Sequence, residues 1–275
     1  METWQICEKE CFEYIKQKFQ NDYFIFELDG GSDSSKSDIL VTKNGIAFFF
    51  IETKMSKAQC RQFVAFPEES KKIFIYSKSN KYTQNLQSSL ILEKMSKNFN
   101  KYKTPNTKGI KIDIDKSYLY DWVYHFYRDN KNVKYFIVEK SVGNNNLSDD
   151  NFIIFPIEHF YKYFDINAIY RTKKSGSSNP TFKDFDDIKY ALNTEGFKFN
   201  KLYQEDKYVF TEIDAEPITY KLTGEKNRYQ LKPEQNKFKI TKLSKTSNPN
   251  VIFEITLIGE QNNRDLEKFK SEFID

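Results

Sequence analysis

The sequence predicts an α/β fold of the α+β kind with a β-rich C-terminal region, and three observations carry that prediction. Residues 3 to 19 place Trp4, Cys7, Cys11, Tyr14 and Ile15 on one face of a helix, at spacings of three, four and seven. Asn44-Gly45 separates two runs rich in β-branched and aromatic side chains, residues 38 to 43 and 46 to 54. Both turn residues tolerate the positive φ of a type I′ turn, which makes this a strong hairpin signal. Short runs at about 207–213, 218–222, 227–232, 237–243 and 250–258, broken by Asp, Gly, Pro and Asn, read as a succession of strands.

Size and composition narrow the classes. A chain of 275 residues fits one large domain or two small ones, and the change of pattern divides it into 1–190 and 191–275. With 30% charged residues and a mean hydropathy of −0.72 it reads as a soluble protein. A net charge of +4 and a pI near 8.6 are mildly basic, compatible with nucleic acid without demanding it. The 26 Phe and 18 Tyr are many for a globular chain and are assigned to the core. Three cysteines, no apolar leader and no long apolar run point to the reducing cytoplasm. Cys7 and Cys11 lie one helical turn apart and Cys60 is distant. Zinc needs a fourth ligand and a tighter spacing, so all three read as small buried apolar residues.

In chain order, Glu8 sits in the middle of the first helix's apolar stripe, while Glu10 and Glu13 lie on its outer face. A carboxylate on an apolar face is costly unless paired or bound to metal, or unless it reaches solvent at the edge of the stripe. A strand follows at 23–28, and Asp29 to Lys36 is a Gly/Ser/Asp-rich connection. Beyond the hairpin, Ser56 and Gln59 have capping-box spacing, so a helix is expected to about Phe66, stopped by Pro67. Residues 72–77 supply a strand, 82–99 a polar helix and 117–128 a helix carrying Trp122, His125 and Phe126. His125 reads as a core or rim residue. Strands at 133–139 and 152–157 flank a polar loop, and His159 opens a short helix. From 166 to 180 a short strand feeds a basic loop in which Arg171, Lys173 and Lys174 bring charge and Ser175 a neutral donor. Gly176 there lets backbone approach a ligand. That loop is either a nucleic-acid contact or solvated surface. Helices at 184–193 and 263–273 complete the chain.

The hairpin carries the chemistry. Side chains alternate along a strand, so Ile46, Phe48, Phe50, Glu52 and Lys54 share a face. Pairing across the turn brings Asp38 to the same end. Two carboxylates and an amine then converge, a grouping suited to metal-assisted phosphodiester cleavage. Carboxylate oxygens hold Mg²⁺, the metal lowers the pKa of a bound water, and an ammonium offsets charge developing on phosphate.

Ser37-Asp38, thirteen residues, and Glu52-Thr53-Lys54 resemble the signature of the PD-(D/E)XK nuclease superfamily. Ser37 stands where the family name has Pro, a departure that touches no ligand. The resemblance covers roughly residues 1 to 78 and implies a restriction-endonuclease-like core, α-β-β-β-α-β, with a mixed sheet flanked by helices. It implies a core over 1–190 with helical and strand additions, and a β-rich accessory or target-recognition region over 191–275. Asp38 and Glu52 are then metal ligands and Lys54 orients and activates the attacking water. Glu8 is a candidate third metal ligand, because several branches of the superfamily place a glutamate on the first helix beside the metal. Gln59 and Gln62, just beyond the lysine, are candidates for positions facing the site.

The activity implied is Mg²⁺-dependent hydrolysis of DNA phosphodiesters, with Mn²⁺ able to substitute. Double-stranded DNA is the partner, and the restriction enzymes of this kind are often homodimers. A type II restriction endonuclease fits the size and the accessory region best. A structure-specific nuclease of resolvase or repair type, and a non-catalytic DNA-binding protein on the same fold, are the alternatives.

Overall fold

The computed structural model describes residues 2–29, 37–77, 84–174, 177–244 and 247–274. It forms two compact units, Met1–Arg171 with Pro249–Asp275, and Thr172–Asn248. The division expected at 190/191 therefore does not coincide with the units. The helix Phe185–Thr194 belongs to the second unit, and the last strand and helix return to the first, because they complete its sheets and core.

The first unit begins with α1 (Thr3–Phe19), β1 (Phe24–Leu28), β2 (Ile39–Lys43) and β3 (Ile46–Met55). β4 (Lys57–Glu68), β5 (Ile73–Tyr76), α2 (Leu86–Lys97), α3 (Phe99–Tyr102), β6 (Ile110–Lys111) and α4 (Lys116–Lys131) follow. Then come β7 (Val133–Glu139), β8 (Phe152–Pro156), α5 (Phe160–Tyr163) and β9 (Phe164–Lys174). β15 (Ser247–Leu257) and α7 (Asn263–Ser271) close the unit. One sheet has the order β1-β2-β3-β7-β8, antiparallel except for the β3–β7 pair. A second has the order β5-β4-β15-β9-β6. β7 is buried along nearly all its length because both faces of the first sheet are covered. Tyr135 and Ile137 pack with Cys7, Cys11 and Ile15 of α1, while Phe136 and Val138 pack with Trp122, Val123 and Tyr127 of α4. Trp122 is fully buried, stacked 5.0 Å from Phe126 and edge-on to Phe253 at 4.5 Å. Such a ring is worth about 3 to 5 kcal/mol against truncation to Ala.

Asn44 and Gly45 have φ of 52° and 76°, the left-handed turn that their identities predict. Strand registers follow: Ile39 lies opposite Ile51 and Leu40 opposite Phe50, with an irregularity between Val41 and Thr42 that absorbs Phe48. Alternation holds from Phe50 to Lys54, while Ile46 and Phe48 are exposed at the turn end.

Three expectations are corrected here. The segment after the lysine is strand β4, not a helix ending near Phe66. It pairs with β15, about two hundred residues further along the chain, and buries Cys60, Phe63 and Ala65. That tertiary pairing outweighs the weak capping signal. Trp4 lies at the mouth of a cavity rather than in the core, 38% exposed. Glu10 is buried, not on an outer face. It sits three residues from Cys7 and four from Tyr14, inside the apolar stripe, and accepts the backbone N–H groups of Gly143 at 2.8 Å and Asn145 at 3.0 Å.

The second unit packs α6 (Phe185–Thr194) on a five-stranded antiparallel sheet. Its strands are β10 (Phe199–Glu205), β11 (Tyr208–Ile213), β12 (Tyr220–Thr223), β13 (Arg228–Glu234) and β14 (Lys237–Leu243), in the order β10-β11-β14-β13-β12. Ile188 and Leu192 of the helix meet Val209, Leu231 and Ile240 of the sheet. Asp187 fixes the β12–β13 turn by accepting from the backbone of Lys226 and Asn227 at 2.9 Å each and from the Tyr229 hydroxyl at 2.7 Å. Among the described residues no helix is long and apolar enough to cross a membrane.

Candidate active site

Asp38, Glu52 and Lys54 meet at the end of the β2–β3 hairpin. Asp38 is one residue before the Ile39–Ile51 pair, so the register alone sets it beside Glu52. Both acids are buried, 9% and 5% exposed. Thr53 holds Asp38 in place: its backbone N–H and its hydroxyl each donate to Asp38 Oδ2 at 2.8 Å. Lys54 Nζ donates to Glu52 Oε1 at 2.6 Å and to the Thr53 carbonyl at 2.9 Å. Parallel pairing of Glu52 with Phe136 and of Lys54 with Val138 fixes the strand from its other side.

These groups line a cavity of about 360 Å³ together with Glu8, Gln59, Arg61, Tyr127 and Lys131. Nothing in the sequence singles out the last three. Lys131 ends α4, where Asn132 takes a left-handed φ of 51° and turns the chain into β7. Its Nζ lies 3.9 Å from Glu52 Oε2. Arg61 reaches in from β4 with its guanidinium 4.3 Å from the Phe126 ring. A lysine in the last turn of a helix is an ordinary partner for the helix dipole, so its sequence position carries no sign of a site. Arg61 lies in the segment whose local pattern suggests a helix and which the structure makes a strand.

The electrostatics follow from burial and neighbours. Burial and the adjacent Glu52 push Asp38 up to about 6. Burial also works against the Glu52 carboxylate, but Lys54 and Lys131 outweigh it and hold the group below the usual range. Burial disfavours the Lys54 ammonium, yet Glu52 and Asp38 hold its pKa well above the ordinary lysine value. Lys54 therefore acts as a charged donor. Burial lowers the Lys131 pKa. Among the described residues Glu52 Oε2, which is buried, has no hydrogen-bond partner. A carboxylate oxygen that accepts no hydrogen bond, beside a second carboxylate in the lining of a cavity, fits a hard divalent cation such as Mg²⁺.

Of the other candidates, Glu8 and Gln59 line the cavity, whereas Gln62 is not part of its lining. Gln59 Nε2 donates to Gln62 Oε1 at 2.8 Å, both on strand β4 rather than on a helix. Arg171, Lys173 and Lys174 belong to strand β9, which runs further than the short strand and loop expected. Ser175 lies outside the described residues. If Glu8 binds metal directly or through water, Glu8→Gln is expected to raise the Mg²⁺ concentration for half-maximal cleavage. The control is Glu13→Gln, since Glu13 is not among the buried residues and Glu10 is. Equal and small shifts in a Mg²⁺ titration of both variants would remove Glu8 from the site.

No family model matches the chain, and no curated protein does. A solved structure does: HhaI endonuclease in complex with DNA, with a TM-score of 0.84 and 34% sequence identity over 99% of each chain. With its mixed sheet and its hairpin of two acids and a lysine, the chain has a type II restriction-endonuclease-like fold. It belongs to the family of the HhaI endonuclease.

Proposed function

We propose that the chain is a Mg²⁺-dependent endodeoxyribonuclease of the PD-(D/E)XK type acting on double-stranded DNA. The observation that carries this reading is the convergence of Asp38, Glu52 and Lys54 in one buried cluster lining a cavity, with Glu52 Oε2 accepting no hydrogen bond from the described residues. Chain order supports it as well. α1, the antiparallel β1-β2-β3, α4 and then β7, parallel to β3, run helix, three strands, helix, strand, with residues 57–115 inserted before α4. The core thus extends to Glu139 rather than stopping near residue 78. The full-length likeness to an endonuclease in complex with DNA supports DNA as the substrate.

The functional expectation stands corrected on one point. It kept open a resolvase or repair nuclease and a non-catalytic DNA-binding protein. A likeness over 99% of both chains to a protein described as an endonuclease in complex with DNA weighs against those two, and what it supports is an enzyme acting on DNA.

Asp38 and Glu52 would hold Mg²⁺, with Mn²⁺ able to replace it, and Glu8 would contribute from α1. When bound, the metal supplies Lewis-acid polarisation of a phosphate oxygen and lowers the pKa of a water. Thr53 keeps the Asp38 carboxylate oriented. Lys54, charged and fixed at two points, orients the attacking water and offsets negative charge on phosphate; it is no proton acceptor at neutral pH. Arg61 and Lys131 add positive charge on the cavity wall where a phosphate would lie. Incubation with plasmid and Mg²⁺ should convert supercoiled DNA to nicked or linear forms, and EDTA should stop it. Intact plasmid across a panel of DNAs with Mg²⁺ or Mn²⁺ would refute the reading.

Arg171, Lys173 and Lys174 remain candidates for holding DNA. Removing each is expected to weaken binding evenly on all sequences and to reduce the slope of log affinity against log salt by about one for each phosphate no longer neutralised. Should Arg171 instead recognise a guanine edge, its loss costs roughly 1 to 3 kcal/mol on the cognate site alone. Binding measured in Ca²⁺ at several salt concentrations separates these. Unchanged affinity and slope in the triple Ala variant would make the segment plain surface.

A further inference from the structure

On the face of the first sheet opposite α4, Cys7 and Cys11 of α1 meet Glu139 at the end of β7. One ligand atom from each, two sulfurs and a carboxylate oxygen, lie within 4.8 Å of one another. All three residues are buried, 2%, 0% and 0% exposed. The two sulfurs are 3.9 Å apart. Two thiolates on one tetrahedral zinc, each at about 2.3 Å, stand about 3.8 Å apart, so the helix already presents them at the required distance. That spacing is far too long for a disulfide, whose sulfurs are about 2.05 Å apart.

A second observation points into the same place. Glu139 Oε2 is buried and accepts from no donor among the described residues, its carboxyl set against the Glu10 carboxylate and the Cys7 thiol, while Oε1 accepts from Asn151 Nδ2 at 3.2 Å. The neighbours of Glu139 are themselves acids. Burial, the Glu10 carboxylate and Cys7 push Glu139 up to about 9. Glu10 is held by the N–H groups of Gly143 and Asn145. Four acidic groups therefore crowd one buried volume, an arrangement that a cation would relieve.

We propose that Cys7, Cys11 and Glu139 form a structural site for zinc or a similar thiophilic divalent cation, with the fourth position filled by Glu10 or a water. Thiolate ligands select such an ion over Mg²⁺, whereas the all-oxygen cluster of Asp38 and Glu52 does the reverse. Binding would release both thiol protons, and the Glu139 proton where present, to solvent. The ion would pin α1 to the end of β7 from the side opposite α4. Because Cys7 also lines the cavity that holds Asp38 and Lys54, the pin would fix that wall. The inference does not depend on the nuclease reading.

The test is a Co²⁺ titration of the full-length, reduced, metal-stripped protein, followed by melting curves with one equivalent of Zn²⁺. A thiolate-to-cobalt charge-transfer band saturating at one equivalent is expected, with a higher melting temperature in Zn²⁺ than in Mg²⁺. Cys7→Ser and Cys11→Ser should lose the band, whereas Cys60→Ser and Asp38→Asn keep it. Glu139→Gln should weaken Co²⁺ binding by at least about ten- to a hundred-fold, the cost of losing even an outer partner of a metal ligand. No band and no Zn²⁺-dependent rise in the parent protein would overturn the proposal and leave a proton shared by Glu10 and Glu139 as the whole content of the cluster. So would a band that survives Cys7→Ser/Cys11→Ser or disappears with Cys60→Ser. Should the cysteine variants fail to fold, the parent's own titration and melting curves still decide.

Discussion

Alanine at Asp38, Glu52 or Lys54 is expected to lower the rate of plasmid cleavage at saturating Mg²⁺ by about a hundred- to a thousand-fold or more. That is roughly 2.7 to 4 kcal/mol, the worth of one strong interaction made in the transition state. The three side chains fail in different ways. Asp38→Ala also releases the Thr53 N–H and hydroxyl that its carboxylate accepts. Glu52→Ala removes the partner of both Lys54 and Lys131 and leaves two buried ammonium groups beside each other. Lys54→Ala removes charge from the site without touching either acid's backbone support, so binding to DNA in Ca²⁺ should persist while cutting does not. Circular dichroism and melting curves establish that each variant is folded. Full cleavage activity in any folded member of the three would end the assignment of the site.

Asp38→Asn is expected to make the metal-free protein more stable than its parent above pH 7. The Asp38 carboxyl is raised from 3.8 to about 6, so the folded state holds that proton more tightly than the unfolded chain. The stabilisation this provides is complete below about pH 4 and is lost as pH rises through 6. At neutral pH the metal-free parent carries a buried carboxylate at a cost of roughly 3 kcal/mol, which Asn avoids while its side-chain carbonyl still accepts from Thr53. Melting temperatures in EDTA should therefore diverge by several degrees between pH 5 and 8 and converge near pH 4. Mg²⁺ favours the ionised form and should raise the parent's melting temperature with little effect on the variant. Parallel curves for the two proteins from pH 4 to 8 would show that burial does not strain Asp38. Cleavage by the parent should fall at acid pH, as protons compete with Mg²⁺ for Asp38, and more Mg²⁺ should move that fall to lower pH.

The hairpin that carries the two acids and the lysine was legible because everything in it is local. A type I′ turn at Asn44-Gly45 sets which residues pair, and a period of two sets which side chains share a face. Asp38, Glu52 and Lys54 then have little choice, and the structure brings them together as the register requires. Most helices and strands were legible for the same reason, from apolar spacing and turn residues. What failed did so where a distant partner decides. Residues 57 to 68 carry a capping-box spacing and two glutamines, and only β15 turns them into a strand. Glu10 has the sequence context of a surface residue on a helix edge, and only the 143–145 segment covers it.

The sequence by itself determined the acid–acid–lysine cluster and the order of the first four elements, because contacts within some twenty residues follow from backbone geometry. Tertiary structure alone decided the rest of the cavity. Lys131 and Arg61 arrive from α4 and β4, elements whose placement depends on burying Trp122, Phe126 and Phe63 between two sheets. It alone set Glu139 beside Cys7 and Cys11, across more than a hundred residues of chain. Such pairs are selected by what the whole core can bury, and no local periodicity records that choice.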